Sequence, residues 1–390
     1  MNCTGSIKPL KREIVKILVV FGTRPEAIKM APLVTALSQT PEFNVKTVVT
    51  AQHREMLDQV LELFRIKPEF DLNIMAAGQS LTEITCRVLE GLEPILKAES
   101  PDLLMVHGDT TTTFASSLAA FYHHIKVAHV EAGLRTGDPW LPYPEEMNRR
   151  LTGRVADLHF APTNQAKTNL LKENITADTI QVTGNTVIDA LLYCVKQFPQ
   201  PLAETGNRER QILVTAHRRE NWGEPLERIA QALKDILMAN PDVRMLIPMH
   251  RNPAVRKTFL ALLGDQPRAS LVEPLDYRAM VSAMVDSYMV ITDSGGIQEE
   301  APALGKPVLV LRDQTERPEA VTAGTVKLVG ADYDQIVGTA NLLLKDSSAY
   351  LKMAQATNPY GDGKAVSRII DGLRFRFGYK TTKPAEFLQI

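Results

Sequence analysis

Residues 16–33 read KILVVFGTRPEAIKMAPL. Lys16–Phe21 is a short run rich in β-branched residues, unbroken apolar from Ile17, followed by a glycine turn at Gly22 and a helix-forming stretch. An apolar strand without alternation is buried on both faces, and a strand that feeds a helix through a tight turn belongs to a parallel sheet. The same unit recurs outward along the chain. Val45–Val49, Leu103–His107, Lys126–Val130, Leu158–Ala161 and Ile180–Thr183 are further apolar runs, separated by 3.6-periodic segments such as Met56–Phe64 and Leu81–Leu96. Residues 196–210 (KQFPQPLAETGNRER) interrupt the pattern with polar residues and two prolines and read as a linker. The pattern resumes at Ile212–Thr215, Met245–Pro248, Ser270–Val272, Tyr288–Thr292, Val308–Leu311 and Val326–Val329. The fold class predicted is α/β, with two doubly wound domains at residues 15–195 and 211–363. Residues 1–14 are predicted to be a flexible extension. Residues 364–390, carrying a helix over Ala365–Phe375, form a C-terminal segment.

The chain has 390 residues, enough for two cores, with 44% hydrophobic and 23% charged residues. A formal net charge of −1 gives no field to hold nucleic acid or an anionic membrane. Cys3, Cys86 and Cys194 are too few and too scattered for a disulfide framework or a zinc site. No apolar run approaches the ~18 residues of a membrane helix, and residues 1–14 lack the apolar core of a signal peptide. These features point to the cytoplasm.

Parallel sheets bind ligands outside the carboxyl ends of their strands, so two such domains facing each other predict an interdomain cleft. The polar clusters of the sequence fall at strand ends. Gly22–Glu26 follows the first strand; its amides and helix dipole, with Arg24 and Lys29, suit an anion, or the turn is an ordinary one with solvated charges. Asp109 follows Leu103–His107 and is either a helix cap or a site residue. Glu131 ends Lys126–Val130 before Ala132-Gly133, a poor capping context, and reads as a site carboxylate. Glu145 and Glu146, behind Pro142 and Pro144, either favour a helix start or reach the ligand. In the second half, His217 is either a core or capping histidine or, as Arg218 and Arg219 beside it at a strand end favour, a phosphate-facing one, and His250-Arg251 forms a weaker cluster. Asp293-Ser294-Gly295-Gly296 joins a strand to a helix and can set bare amides against a phosphate, while Glu300 is placed to accept ribose hydroxyls.

No GxGxxG follows the first strand and no GxxxxGK[ST] occurs, so neither a dinucleotide fingerprint nor a P-loop is present. Tyr122 and Lys126 match YxxxK, but without the glycine fingerprint the match is a coincidence. No paired histidines stand at metal-binding spacing. The cofactor expectation is therefore none: no NAD and no metal.

The ordered motifs FGTRPEAIKMAPL, AQHREMLDQV, HGDTTTT, HVEAGLRTGD, PEEMNRRL, VTGNTVIDAL, TAHRREN and TDSGGIQEEAPALGKPVLVLRDQTERPEA span about residues 16–372. Together they resemble the non-hydrolysing UDP-N-acetylglucosamine 2-epimerases of bacteria. The resemblance implies two Rossmann-like domains of the glycosyltransferase-B type, a C-terminal helix crossing back to the first domain, and a homodimer. It implies interconversion of UDP-GlcNAc and UDP-ManNAc for surface polysaccharide synthesis. Asp109, Glu131 and Glu145 match the catalytic carboxylates of the family, and His217 the histidine near the diphosphate. Arg24, Lys29, Ser294, Gly295, Gly296, Glu300 and Arg317 match its UDP contacts. Some members carry Gln and Phe where this chain has Leu275 and Met280, on the uracil side. Some bind a second, activating substrate partly through QHRQ, which here is Gln52-His53-Arg54-Glu55; with Arg218 and His250 these residues form a candidate regulatory site. Gly78 stands where some members have a basic residue.

The chemistry agrees with this set. Carbon 2 of an acetamido sugar is not acidic until the bond to UDP breaks. Elimination of UDP to a 2-acetamidoglucal and re-addition needs acid/base groups for two faces and cations for the leaving diphosphate. A hydrolysing 2-epimerase, a retaining glycosyltransferase and a nucleotide-sugar-binding regulator are the rival readings; the carboxylate set argues against the last.

Overall fold

A computed structural model describes residues 14–51, 54–76, 78–197 and 209–388, the side chains of residues 54–56 excepted. The extension 1–14 and the linker 196–210 fall almost wholly outside the described residues, as does Gln52.

In chain order the first elements are β1 (Val15–Phe21), α1 (Arg24–Ser38), β2 (Phe43–Val49), α2 (Arg54–Leu63), β3 (Phe70–Asp71), α3 (Leu81–Glu99) and β4 (Leu103–His107). They continue with α4 (Thr111–Tyr122), β5 (Lys126–Val130), α5 (Glu145–Val155), β6 (Leu158–Ala161), α6 (Asn164–Lys172) and β7 (Ile180–Val182). The strands form one seven-stranded sheet in the order β3-β2-β1-β4-β5-β6-β7. The described pairs are parallel, with Val15 opposite Phe43 and Leu103 opposite Lys126. The strand order reverses direction between β1 and β4, the position at which doubly wound sheets open a ligand crevice. Every residue of β4 is buried, as the unbroken apolar run requires. Leu18, Val20, Leu104 and Val106 pack on Val88 and Leu92 of α3 and on Ala115 and Ala119 of α4. Each such buried branched side chain contributes about 1.5–3 kcal/mol.

The second set of elements is α7 (Thr186–Gln197), β8 (Arg210–Thr215), α8 (Glu224–Ala239), β9 (Val243–Pro248), α9 (Pro253–Leu263), β10 (Ala269–Val272), α10 (Tyr277–Asp286) and β11 (Ser287–Thr292). After these come α11 (Gly295–Ala303), β12 (Val308–Val310), α12 (Pro318–Ala323), β13 (Val326–Leu328), α13 (Tyr333–Lys345), α14 (Ser347–Ala354) and α15 (Ala365–Arg376). Six strands form a second sheet in the order β10-β9-β8-β11-β12-β13, which reverses between β8 and β11. Its core is separate, built from Ile212, Val214, Ile229, Leu233, Ile247, Ile291 and Leu309 among others.

The chain divides into two units. Unit 1 comprises residues 1–161, 165–181 and 366–386; unit 2 comprises residues 162–164, 182–365 and 387–390. The division falls at Val182, whereas the sequence reading placed it after residue 195. The reason is α7, which packs on α10 and α11 of unit 2. The C-terminal stretch from Val366 belongs to unit 1. There α15 lies so close to β7 that a Cβ at Gly372 would sit 2.1 Å from Gln181 Oε1, and Arg374 Nε pairs with Glu42 Oε1 at 3.1 Å. Among the described residues no helix is long and apolar enough to cross a membrane.

Candidate functional site

In unit 1 the singled-out residues stand at the ends of the adjacent strands β1, β4 and β5. Gly22 is required by close approach: a Cβ there would lie 2.0 Å from Thr50 Oγ1. The turn differs from the sequence reading. The Gly22 and Thr23 amides are not left open for a ligand; both donate to Glu26 Oε2, at 3.0 and 2.7 Å. The Thr23 hydroxyl donates to the same oxygen, while the Thr110 and Thr113 hydroxyls donate to Oε1 at 2.7 and 3.0 Å. Buried Glu26 thereby ties the β1–α1 turn to the β4–α4 turn. Arg24 stands half-buried at the start of α1.

Asp109 is not the cap of α4. Thr110 is, its hydroxyl accepting from the Thr113 amide at 3.1 Å. Asp109 is left to face Arg149 Nη2 at 2.5 Å, and its carbonyl accepts from Asn148 Nδ2 at 3.0 Å. Burial pushes the Asp109 carboxyl up to about 6; Arg149 opposes the shift and the neighbouring Glu131 charge adds to it. The side chain keeps 30% of its exposure, so it can exchange a proton near neutral pH. Glu131 stands just past β5 with φ +62°, a left-handed conformation that a non-glycine residue rarely adopts. Its Oε1 lies 2.5 Å from Lys29 Nζ and its Oε2 lies 3.3 Å from His107 Nε2. Of the two adjacent acids, Glu146 is the structural one. It is fully buried, accepts the Thr136 amide at 3.1 Å and pairs with Arg150 at 2.9 Å. Glu145, the first residue of α5, is half-buried and makes no ion pair among the described residues.

Unit 2 repeats the pattern at β8 and β11. His217 Nδ1 lies 2.8 Å from Asp293 Oδ1. The other carboxylate oxygen accepts the His217 and Arg218 amides at 2.8 and 2.9 Å and Asn221 Nδ2 at 3.1 Å. Burial pushes the Asp293 carboxyl up, but the His217 ring and these amides outweigh it and hold the group below the usual aspartate range. An imidazole with Nδ1 against a carboxylate presents Nε2 outward. At α11 the Ser294 amide is taken by Thr292 Oγ1 at 2.9 Å. Gly295 is packed under Arg317, since a Cβ there would lie 2.5 Å from Nη1. Arg317 pairs with Glu299 at 2.5 Å and with Glu316 at 2.7 Å. Arg312 and Arg218 also reach Glu316, at 2.5 and 3.3 Å. Burial pushes Glu316 up, yet Arg317, Arg312 and Arg218 together hold it down at about 2. Glu300 is buried with its Oε1 on the Tyr277 hydroxyl at 2.8 Å. Of the candidate regulatory residues, Gln52 and the Arg54 side chain lie outside the described residues. Arg218 belongs to the Asp293–Glu316 network, and His250 stacks on His217 with ring centroids 6.0 Å apart.

Sequence reasoning gave no role to Glu26, His107, Arg149, Glu299 or Glu316. All five lie inside the quoted motifs, so the motifs were the available signal; their distant partners, such as Thr110 for Glu26 and Asp109 for Arg149, stand too far along the chain to be read. Among the described residues no group of three or more His, Cys, Asp or Glu side chains is gathered as a metal ion would need.

A family model described as UDP-N-acetylglucosamine 2-epimerase matches residues 35–374. The Bacillus subtilis UDP-N-acetylglucosamine 2-epimerase is 56% identical over 373 residues, covering 95% of this chain and 98% of that protein. The Escherichia coli K12 enzyme of the same name is 56% identical over 371 residues, covering 92% and 98%. The crystal structure of the Neisseria meningitidis UDP-GlcNAc 2-epimerase bound to UDP-GlcNAc superposes with a TM-score of 0.84 at 50% identity, covering 92% of this chain and 99% of that one. With two doubly wound units, strand-end carboxylates in one and an Asp-paired histidine among arginines in the other, the chain belongs to the UDP-N-acetylglucosamine 2-epimerase family.

Proposed function

We propose that the protein is a non-hydrolysing UDP-N-acetylglucosamine 2-epimerase that interconverts UDP-GlcNAc and UDP-ManNAc. The observation that carries the reading is the carboxylate set of unit 1, in which Asp109 and Glu131 are held in different ways. Asp109 is pushed up to about 6, suited to a group that must both give and take a proton at neutral pH. Glu131 is ion-paired to Lys29, suited to a base that starts ionised. Family membership supplies the substrate.

In the proposed reaction the C1–O bond to UDP breaks and its electron pair leaves with the diphosphate. The proton on carbon 2 passes to a carboxylate, and the C2–H electron pair forms the double bond of a 2-acetamidoglucal. A second carboxylate returns a proton to the opposite face, and UDP re-adds at carbon 1. The Asp109, Glu131 and Glu145 carboxylates handle these protons. In unit 2, His217 oriented by Asp293, together with Arg317 and the start of α11, offsets the charge of the departing diphosphate. Glu300 accepts ribose hydroxyls. Neither NAD nor a metal is needed in this scheme. A homodimer in the cytoplasm that feeds surface polysaccharide synthesis completes the proposal.

Proton NMR of UDP-GlcNAc with pure protein in D2O tests it. Deuterium should enter carbon 2 of UDP-ManNAc while the nucleotide stays attached. Asp109→Asn, Glu131→Gln and Glu145→Gln should each lower turnover by about 10²–10⁴-fold. Stoichiometric free UDP and ManNAc would establish the hydrolysing reading instead.

A further inference from the structure

His107 closes β4, whose neighbours in the sheet are β1 and β5. Its side chain is 3% exposed. Neither ring nitrogen has a hydrogen-bond partner among the described residues, an arrangement that native interiors rarely tolerate without a reason. Burial, reinforced by the Lys29 charge and opposed by Glu131, pushes the ring down to about 4, so it is a neutral imidazole at neutral pH. It therefore carries one N–H to offer.

The acid beside it is Glu131. Lys29 Nζ occupies Oε1 at 2.5 Å, and Oε2 lies 3.3 Å from His107 Nε2, close but not aligned as a hydrogen bond. Catalytic hydrogen bonds are often long and misaligned before substrate binds. The Glu131 backbone is held in the left-handed region, where no ordinary strand or helix preference would put it. The other buried histidines of unit 1 contrast with this one. His129 Nε2 lies 2.7 Å from the Gly108 carbonyl and His159 Nε2 lies 2.9 Å from the Gly153 carbonyl. Those two are anchored to backbone. His107 is set against a carboxylate alone.

We propose that His107 is a positioning residue for Glu131: its neutral ring braces Oε2 while Lys29 braces Oε1, fixing the carboxylate in the one orientation from which it exchanges the carbon 2 proton. The inference rests on the epimerase reading. It assigns the ring a role in aiming the acid, with no proton passing through it.

The test uses the full chain and compares UDP-GlcNAc with its C2-deuterated form. His107→Leu removes the N–H. It should lower kcat by about 10–100-fold with KM within about threefold of wild type, and it should raise the C2 isotope effect, because proton transfer becomes the slower step. His107→Gln, which offers an N–H at similar reach, should recover kcat to within about fivefold of wild type. His159→Gln should lower the melting temperature and leave the isotope effect unmoved. If His107→Leu does not fold, His107→Asn, polar but too short to reach Oε2, takes its place with the same expected signature. Unchanged kcat, or a fall in kcat with an unchanged isotope effect, would overturn the inference. Wild-type protein that fails to epimerise would instead overturn the functional reading beneath it.

Discussion

Asp109 and Asp293 both follow strands of parallel sheets, and their surroundings push them in opposite directions. Asp293 receives two backbone amides, an asparagine amide and the His217 ring, so it stays ionised and serves as a fixed orienting charge. Asp109 is half-buried beside one arginine and near other acids, and is raised from 3.8 to about 6. The folded protein then binds more protons than the unfolded chain between these two values. Stability contributed by this group is present below pH 4 and is lost as pH rises to 6, by up to about 3 kcal/mol. Urea unfolding at pH 4.5 and pH 7 should show Asp109→Asn gaining about 2 kcal/mol more stability than wild type over that interval, the histidines contributing equally to both; equal changes in the two proteins would refute the assignment. At this scale the sequence was informative about residue types at strand ends. It was silent on partners: Asp109 and Arg149 are 40 positions apart, and His217 and Asp293 are 76 apart, so which group shifts which could be read only after folding.

Turns between strand and helix carry most of the chemistry, and two of them show how much depends on close packing. Glu26 looked like part of a helix start, and it proves to be the knot that joins two turns through five donors. Gly295 and Gly296 stand side by side in TDSGG, and their surroundings differ. A Cβ at Gly295 would strike Arg317, which cannot retreat freely because Glu299 and Glu316 hold it. A Cβ at Gly296 would meet Glu300 Oε2 at an ordinary 3.5 Å. Gly295→Ala should therefore weaken UDP binding about tenfold or more, whereas Gly296→Ala should stay within about threefold. Calorimetric titration with UDP checks both, and equal losses would show that Arg317 is not the reason. Strand positions were legible to within two residues because buried parallel strands are continuous apolar runs. β3 escaped notice because Phe70–Asp71 is only two residues long, too short to show any period.

Across the whole molecule the two units meet acid differently. His107 is held down at about 4 and His129 at about 3, both by burial, and burial lowers His159 as well. A base with a depressed folded value gives stability that is full above its unfolded pKa near 6.5 and is lost as pH falls below it. At pH 5 His107 and His129 together remove about 4 kcal/mol from unit 1, of which Asp109 returns about 1 kcal/mol. The charge-paired acids of unit 2 work in another window. Asp293 and Glu316 are lowered, so their contribution persists until pH drops below about 4. Hydrogen exchange at pH 5 should show unit 1 opening while unit 2 stays protected, and simultaneous opening would count against this account. The two sheets were readable from the sequence, but the assignment of α7 to unit 2 was not, since it depends on packing against α10 and α11. The division at Val182 and the return of residues 366–386 to unit 1 also bear on synthesis. Unit 2 is drawn almost entirely from one uninterrupted stretch, residues 182–365, while unit 1 needs residues made near the end of translation. On the ribosome the half that is encoded first must therefore wait, missing the helix that packs beside β7, until the half encoded second has emerged and can already be complete.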